Sequence, residues 1–329
     1  MSRRFFLASV TALALGGLAP SFATAQTAEK FPTQPIKLVV PFAPGGTTDT
    51  FARLFGQHFG EQLGVPVVVV NQPGGGGMVA TRALQRTEPD GYTLIFQSPT
   101  SGVTGPLTRK EPPYDPVEGF SHIAILGMTP IVLGVSNKSN VESLSQLVDH
   151  SKAAPAGLSY ATGGVGGGPH LSVELLMKRI GDLNAVHVPY RGAGPAVQDL
   201  VSGEVVFMPD TFTSLLPLHE SGRIKIVAVF DEERSKVAPD IPTAREQGVD
   251  IVTRIANYIS APPGTPKERL EILAAAARET MKNPAVIEKL QSLGYRPVTD
   301  STPASATQFI ADEVALWKPV IKDAGIALE

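Results

Sequence analysis

One segment limits this chain's folding more than any other: Ile36-Lys37-Leu38-Val39-Val40-Pro41-Phe42-Ala43-Pro44-Gly45-Gly46-Thr47-Thr48-Asp49. Its apolar run does not alternate, which suits a parallel strand covered on both faces. Gly45 and Gly46 let the backbone turn with φ > 0 and approach whatever lies above it. Thr48 or Asp49 then supplies a cap for a helix whose apolar positions Phe51, Leu54, Phe55 and Phe59 recur at helical spacing. A strand–loop–helix of this kind points free N–H groups outward from the strand's carboxyl end, where anions bind. No catalytic side chain accompanies it, so the segment reads as holding an anion rather than transforming one.

Residues 1–25 read as an export signal. Arg3 and Arg4 give a positive start, Phe5 to Leu18 is apolar, and Ala23-Thr24-Ala25 fits the small-x-small cleavage rule. The expected cut falls between Ala25 and Gln26. Ser2-Arg3-Arg4-Phe5-Phe6-Leu7 is also similar to a twin-arginine signal, so both export routes stay open. There are no cysteines, which excludes disulfides and any lipid-anchored cysteine. The expected location is the periplasm. Without Arg3 and Arg4, 26 of the 28 basic residues face 31 acidic ones. That balance argues against nucleic acid and against an anionic membrane surface.

The rest of the chain repeats the strand–turn–helix unit. Val67 to Val70 runs into Asn71-Gln72-Pro73-Gly74, and Tyr92 to Phe96 follows the turn Pro89-Asp90-Gly91. Ile123 to Leu126 and Ile131 to Val135 read as two short strands split by Gly127-Met128-Thr129-Pro130, a first crossing between domains. Strands at Leu158–Tyr160, Ala185–Val188, Val205–Met208 and Ile224–Val229 fill the middle, with a return crossing near Arg254 to Ser260. Pro266 to Ala324 is mostly helical. Such alternation predicts an α/β fold of two domains, each a mainly parallel sheet flanked by helices, with its loops gathered at one edge. The boundaries expected are 26–127 with 251–329 for one domain and 128–250 for the other. A cleft between them is where ligands bind.

Each loop has a structural reading beside its functional one. Gly163 to Pro169 fits neither the dinucleotide fingerprint nor the P-loop, leaving a flexible linker or a binding loop. Arg191, in Pro189-Tyr190-Arg191-Gly192, can fork onto a carboxylate or pair with an acidic residue. His170 opens a helix, where it caps or bridges loops, or meets a ligand. Asp210 follows a strand end and accepts a hydrogen bond from a ligand or caps the next segment. There is no G-x-S-x-G elbow and no H-E-x-x-H, and the six histidines lack ligand spacing.

Taken together, these motifs resemble the Bug/TctC family of periplasmic solute-binding proteins that serve tripartite tricarboxylate transporters. The likeness rests on Pro35 to Gly46 with Asp49, Asn71-Gln72-Pro73-Gly74, Pro89-Asp90-Gly91-Tyr92-Thr93-Leu94 and His187-Val188-Pro189-Tyr190-Arg191-Gly192. Pro239-Asp240-Ile241-Pro242-Thr243 and Ala261-Pro262-Pro263-Gly264-Thr265-Pro266 complete it. The resemblance implies a two-domain Venus-flytrap fold closing on a small carboxylate: a di- or tricarboxylate, an amino acid, or an aromatic acid such as terephthalate or nicotinate. It implies no enzyme activity, no cofactor and no metal, delivery to membrane transporter subunits, and a monomer. The implied ligand-binding residues are Phe42, Ala43, Pro44, Gly45, Gly46, Thr48, Asp49 and Ser98 on one side of the cleft. Thr162, Gly164, Gly166, Gly167, His170, Arg191, Asp210 and Thr211 make the other. Two departures stand near that cleft: Gly167 replaces a family hydroxyl residue, and a tryptophan–x–glycine reads Ala256-Asn257-Tyr258. A periplasmic hydrolase or isomerase of carboxylates, or a ligand sensor for a membrane receptor kinase, are the rival readings.

Overall fold

A computed structural model describes residues 30–328 apart from Gly46 and Arg191, so the export signal and those two site positions lie outside the described residues. The first third contains β1 (Ile36–Val40), α1 (Thr47–Leu63), β2 (Val67–Asn71), α2 (Met78–Leu84), β3 (Thr93–Gln97), the single turn α3 (Gly105–Leu107) and β4 (Ser121–Ser136). The middle runs α4 (Leu144–Ala153), β5 (Leu158–Thr162), α5 (Gly168–Ile180), β6 (Ala185–Pro189), α6 (Ala193–Ser202), β7 (Phe207–Thr211), α7 (Phe212–Glu220) and β8 (Ile224–Val229). The last part is β9 (Arg254–Ala261), α8 (Lys267–Met281), α9 (Pro284–Ser292), β10 (Arg296–Pro297) and α10 (Pro303–Asp323).

The strands pair in the order β2-β1-β3-β9-β4-β7-β5-β6, with β8 and β10 also on β4. Pairing is parallel within β2-β1-β3 and β7-β5-β6. It is antiparallel wherever β4 or β9 takes part. The α/β reading therefore holds, with antiparallel strands added at the crossing.

The crossing differs from its expected form. Gly127 to Pro130 does not interrupt anything: β4 is one strand of 16 residues. Its first part, Ser121 to Pro130, pairs with β9, and its second, Ile131 to Ser136, pairs with β7 and β8. The change of partners falls between Pro130 and Ile131. A Cβ on Gly127 would stand 3.3 Å from the Phe51 ring and 3.4 Å from that of Tyr295, so its absence lets both aromatics reach the strand. The chain returns at Thr253, next to Arg254. Ile131 N–H donates to Thr253 O at 3.0 Å and Thr253 N–H to Phe230 O at 2.9 Å, so the hand-over is complete before β9 begins.

The first core forms where α1 lies on β1 and β3. Phe51, Phe55 and Phe59, one helical turn apart, bury with Ile36, Leu38, Val40 and Phe96. Phe55 stacks on Phe59 at 4.7 Å, and Phe51 meets Phe96 edge-on at 5.2 Å. Each such side chain contributes about 1.5–3 kcal/mol by burial. They fix the start of α1, and with it the loop above. A second core joins Tyr160, Leu171 and Phe207 to Tyr258, Ile310 and Trp317. Along β9, Ala256 and Tyr258 are two residues apart and so share one face, toward this core. Of the two, the tyrosine supplies the ring.

Candidate functional site

The loop after β1 is held by Asp49. The helix begins at Thr47, so Asp49 lies in its first turn instead of capping it, and neither Thr48 nor Asp49 is the cap residue. The buried Asp49 carboxylate reaches back to accept Gly45 N–H at 2.9 Å and takes Arg53 Nε at 3.0 Å. Its other oxygen accepts Asn71 Nδ2 at 2.8 Å, and that same amide group donates to Phe42 O at 3.0 Å. Arg53 closes the ring by donating to Asn71 Oδ1 at 2.7 Å. Burial alone pulls the Asp49 pKa up, but the bonds from Arg53, Gly45 and Asn71 outweigh it and hold the carboxyl below its ordinary value. Asp49 therefore fixes the shape of Phe42 to Gly45. Gly45 adopts φ +86°, and a Cβ there would meet nothing within 4 Å. This backbone faces open space.

The loop after β3 carries a second set of polar groups. Ser98 is buried, and its carbonyl accepts Ser101 N–H at 3.1 Å and Gly102 N–H at 3.0 Å. Tyr114 Oη donates to Ser101 O. A Cβ on Gly77 would fall 2.6 Å from Ser101 Cβ and 3.2 Å from Pro41 Cβ, so the β1 and β3 loops meet at that glycine. Beneath them lie groups the motif reading missed. Gln97 and Tyr258 are register partners on β3 and β9, both buried, and Gln97 Oε1 and Tyr258 Oη have no hydrogen-bond partner. Asn257 Nδ2 donates to Gln97 O at 3.2 Å, and Tyr295 Oη to Asn257 Oδ1 at 2.9 Å. The only signal in the sequence was the departure at Ala256-Asn257-Tyr258.

On the other side, the loop after β5 is built from backbone and imidazoles. Thr162 Oγ1 donates to Gly164 O at 2.9 Å and lies 2.6 Å from His187 Nε2. Gly166 N–H donates to His170 Nδ1 at 2.9 Å, and His170 Nε2 faces Glu174 Oε1 at 3.5 Å. Both ring nitrogens of His170 are thus engaged within the chain. This loop reaches the β3 loop: a Cβ on Gly167 would stand 4.0 Å from Thr100 Oγ1, and one on Gly166, at φ +76°, 2.7 Å from Thr108 Cγ2. Glycine is needed at 166 for the approach, whereas Gly167 is extended, with φ −76°, and has room for a side chain. A serine at 167 would face Thr100 directly, so the missing hydroxyl leaves that space to the threonine.

Asp210 and Thr211 end β7, and both are buried. Burial pushes the Asp210 carboxyl up to about 6 against bonds from Thr211 N–H and the Ser214 and Thr211 hydroxyls. Its charge also bears on Tyr295. Ala43 and Pro44 complete the β1 loop, and both are exposed.

Helix starts give this edge its chemistry. Helices α5, α6 and α7 follow β5, β6 and β7, and their cap residues Gly167, Gly192 and Thr211 make no side-chain hydrogen bond to the first turn. Their N–H groups are left for an outside acceptor. By contrast, α4, α9 and α10 are capped by Ser143, Asn283 and Thr302; α2, after Gly77, and α8, after Pro266, also lack a side-chain cap. Three uncapped helix starts at strand carboxyl ends suit an anion. Among the described residues there is no cluster of metal-ligand side chains, and no helix is long and apolar enough to cross a membrane.

The model of a family described as tripartite tricarboxylate transporter family receptor matches residues 51–326. BugT of Bordetella pertussis is 33% identical over 305 residues, covering 92% of this chain and 93% of that protein. Among solved structures, R. palustris Rpa4515 with adipate is 32% identical at a TM-score of 0.82, covering 91% of this chain and 100% of its own. MatC (Rpa3494) from Rhodopseudomonas palustris with bound malate is 30% identical at 0.78, covering 88% and 100%.

Proposed function

The chain belongs to the tripartite tricarboxylate transporter receptor family, the TctC/Bug periplasmic solute-binding proteins, and on that premise we propose that it captures a small organic acid and hands it to the transporter's membrane subunits. The family is one of receptors and not of enzymes. The observation that carries the reading is the set of three uncapped helix starts at α5, α6 and α7, next to a β3 loop that the glycine loop touches. A carboxylate seated there would accept N–H groups from one side and the Phe42–Gly45 backbone from the other. The proposed domains are 26–127 with 251–329, and 128–250, hinged where β4 changes partners. Cleavage near Ala25 would release a monomer into the periplasm. Relatives solved with adipate and malate point to di-acids as the first compounds to try.

A thermal-shift screen tests this. A ligand at about 100 times its dissociation constant adds about 2.7 kcal/mol, which for domains of this size raises the melting point by roughly 5–10 °C. Malate, adipate, citrate, glutamate and terephthalate make the first panel, each followed by chromatography for turnover. No shift with any organic acid, or conversion of one, defeats the proposal.

Gly45→Val is expected to leave the protein folded while weakening ligand binding at least tenfold. Its Cβ meets nothing within 4 Å, so the main cost to the fold is the φ strain of about 1–2 kcal/mol, yet the side chain enters the open space above the loop. Calorimetry with the acid found in the screen reads the loss. Unchanged affinity would remove the β1 loop from the site.

A further inference from the structure

The β5 loop rests on two imidazoles that the function does not use directly. The rings of His170, on α5, and His187, on β6, stack with centroids 3.9 Å apart and planes within 16°. Tyr160 on β5 stacks on His187 at 4.9 Å, and Phe207 on β7 covers Tyr160 at 5.3 Å. The remaining charged group here is Glu174 on α5, which accepts Tyr160 Oη at 2.9 Å and faces His170 Nε2. The ring that β7 brings to the stack is Phe207; its carboxylate, Asp210, lies at the strand's far end.

The hydrogen bonds set the protons. His170 Nδ1 accepts from Gly166 N–H, so it is bare and the ring's proton lies on Nε2, toward Glu174. The Thr162 hydroxyl has one proton, and it goes to Gly164 O, so His187 Nε2–H donates to Thr162. Both rings are neutral in this arrangement. Each holds one side of the glycine loop, His170 through Gly166 and His187 through Thr162 and Gly164.

We infer that His170 and His187 are positioning residues that keep the glycine loop in one conformation only while both are neutral, so that acid releases the loop and the ligand it helps to hold. The Glu174 carboxylate faces the His170 ring at 3.5 Å, so a charge on that ring has a counter-ion beside it. His187 resists, since burial and the neighbouring charge push it down to about 4. At 3.9 Å, two charged rings repel strongly. The proton must take Nδ1, and a doubly protonated imidazole cannot accept Gly166 N–H. The loop loses its tie at the point where it meets Thr108 and Thr100. The consequence for capture rests on the proposed function; the loop's own response does not.

The test uses the full mature chain, ¹⁵N-labelled, taken from about pH 7.5 to 5 without ligand. Imidazole resonances report proton uptake, and the Gly166 amide shift and exchange protection report the loop. The expected result is that Gly166 protection falls at least tenfold with the same midpoint as His170. Glu174→Gln removes the facing charge and should move that midpoint to lower pH. His170→Asn puts an amide oxygen where Nδ1 stood and cannot gain a proton, so its Gly166 response should be flat. If His170 titrates while Gly166 stays still, or if Glu174→Gln leaves the midpoint in place, the inference is wrong. Malate and adipate affinities across the same range form the second arm. A responding loop with constant affinity overturns the link to capture, whereas no binding of any acid at neutral pH counts against the proposed function alone.

Discussion

Asp49→Ala is expected to lower the melting temperature by about 4–12 °C and to weaken ligand binding by roughly fivefold to over a hundredfold. The buried carboxylate accepts Gly45 N–H, Arg53 and Asn71 at once, and alanine leaves all three donors without it. Hydrogen bonds to a charged group are worth about 1.5–3 kcal/mol. The Arg53 share is discounted, because its side chain is 51% exposed and water screens and replaces that bond. The remaining loss is about 2–3 kcal/mol, or about 2–4 °C for each in domains of this size. Binding suffers separately, since Phe42 to Gly45 is shaped by this ring of bonds. The pH dependence carries a definite sign. A carboxyl whose folded pKa lies below its ordinary 3.8 contributes stability in full above that value and loses it as pH falls through the lower folded one. The variant should therefore differ most from the parent above about pH 4, with the two urea midpoints converging in stronger acid. A variant as stable as the parent at neutral pH would show that Arg53 and Asn71 hold the loop unaided.

How much of this was legible in the sequence follows the distance over which each feature is decided. The β1–loop–α1 unit is local: the apolar run, Gly45 at positive φ and the phenylalanines at helical spacing are all in the structure, although Thr48 and Asp49 do not cap the helix. The role of Asp49 was only half legible. Its position near the helix start is written in the segment, but its partner Asn71 comes from the end of β2, set by parallel pairing with β1. Gly127 to Pro130 looked like a break because glycine and proline usually end strands. What keeps β4 continuous is the chain 120 residues or so later, which no local pattern reports. His187 lies in the same motif as Arg191, four residues before it, and nothing local singles it out. The alternation that places His187 next to Tyr160 across parallel strands could have drawn it out, since the two are register partners.

The tightest long-range fit lies under the β3 loop, and it yields the second large expectation: Gly102→Ala should destabilise by about 2–3 kcal/mol, and Tyr258→Phe should restore much of the loss. An alanine Cβ at 102 would fall 1.7 Å from Tyr258 Oη and 3.0 Å from its ring carbon, far inside contact distance. Tyr258 cannot swing away, being buried between β4 and β3 by pairing on both sides. Overpacking of a filled core costs about 1–3 kcal/mol, and here the obstacle is a rigid ring. Removing the hydroxyl alone behaves differently. Tyr258 Oη is buried and without a hydrogen-bond partner, so Tyr258→Phe gives up no bond and should be neutral or slightly stabilising. In the double variant the nearest obstacle is gone and the 3.0 Å ring contact remains, so recovery should be incomplete. Urea denaturation of the four proteins makes a thermodynamic cycle, with an expected coupling of about 1–2 kcal/mol. Coupling of that sign ties the family-departing tyrosine to this glycine, 156 positions away in the chain. Additive effects would mean that the loop shifts as a body to admit the methyl, and the β3 loop would then be softer than its buried hydroxyls imply.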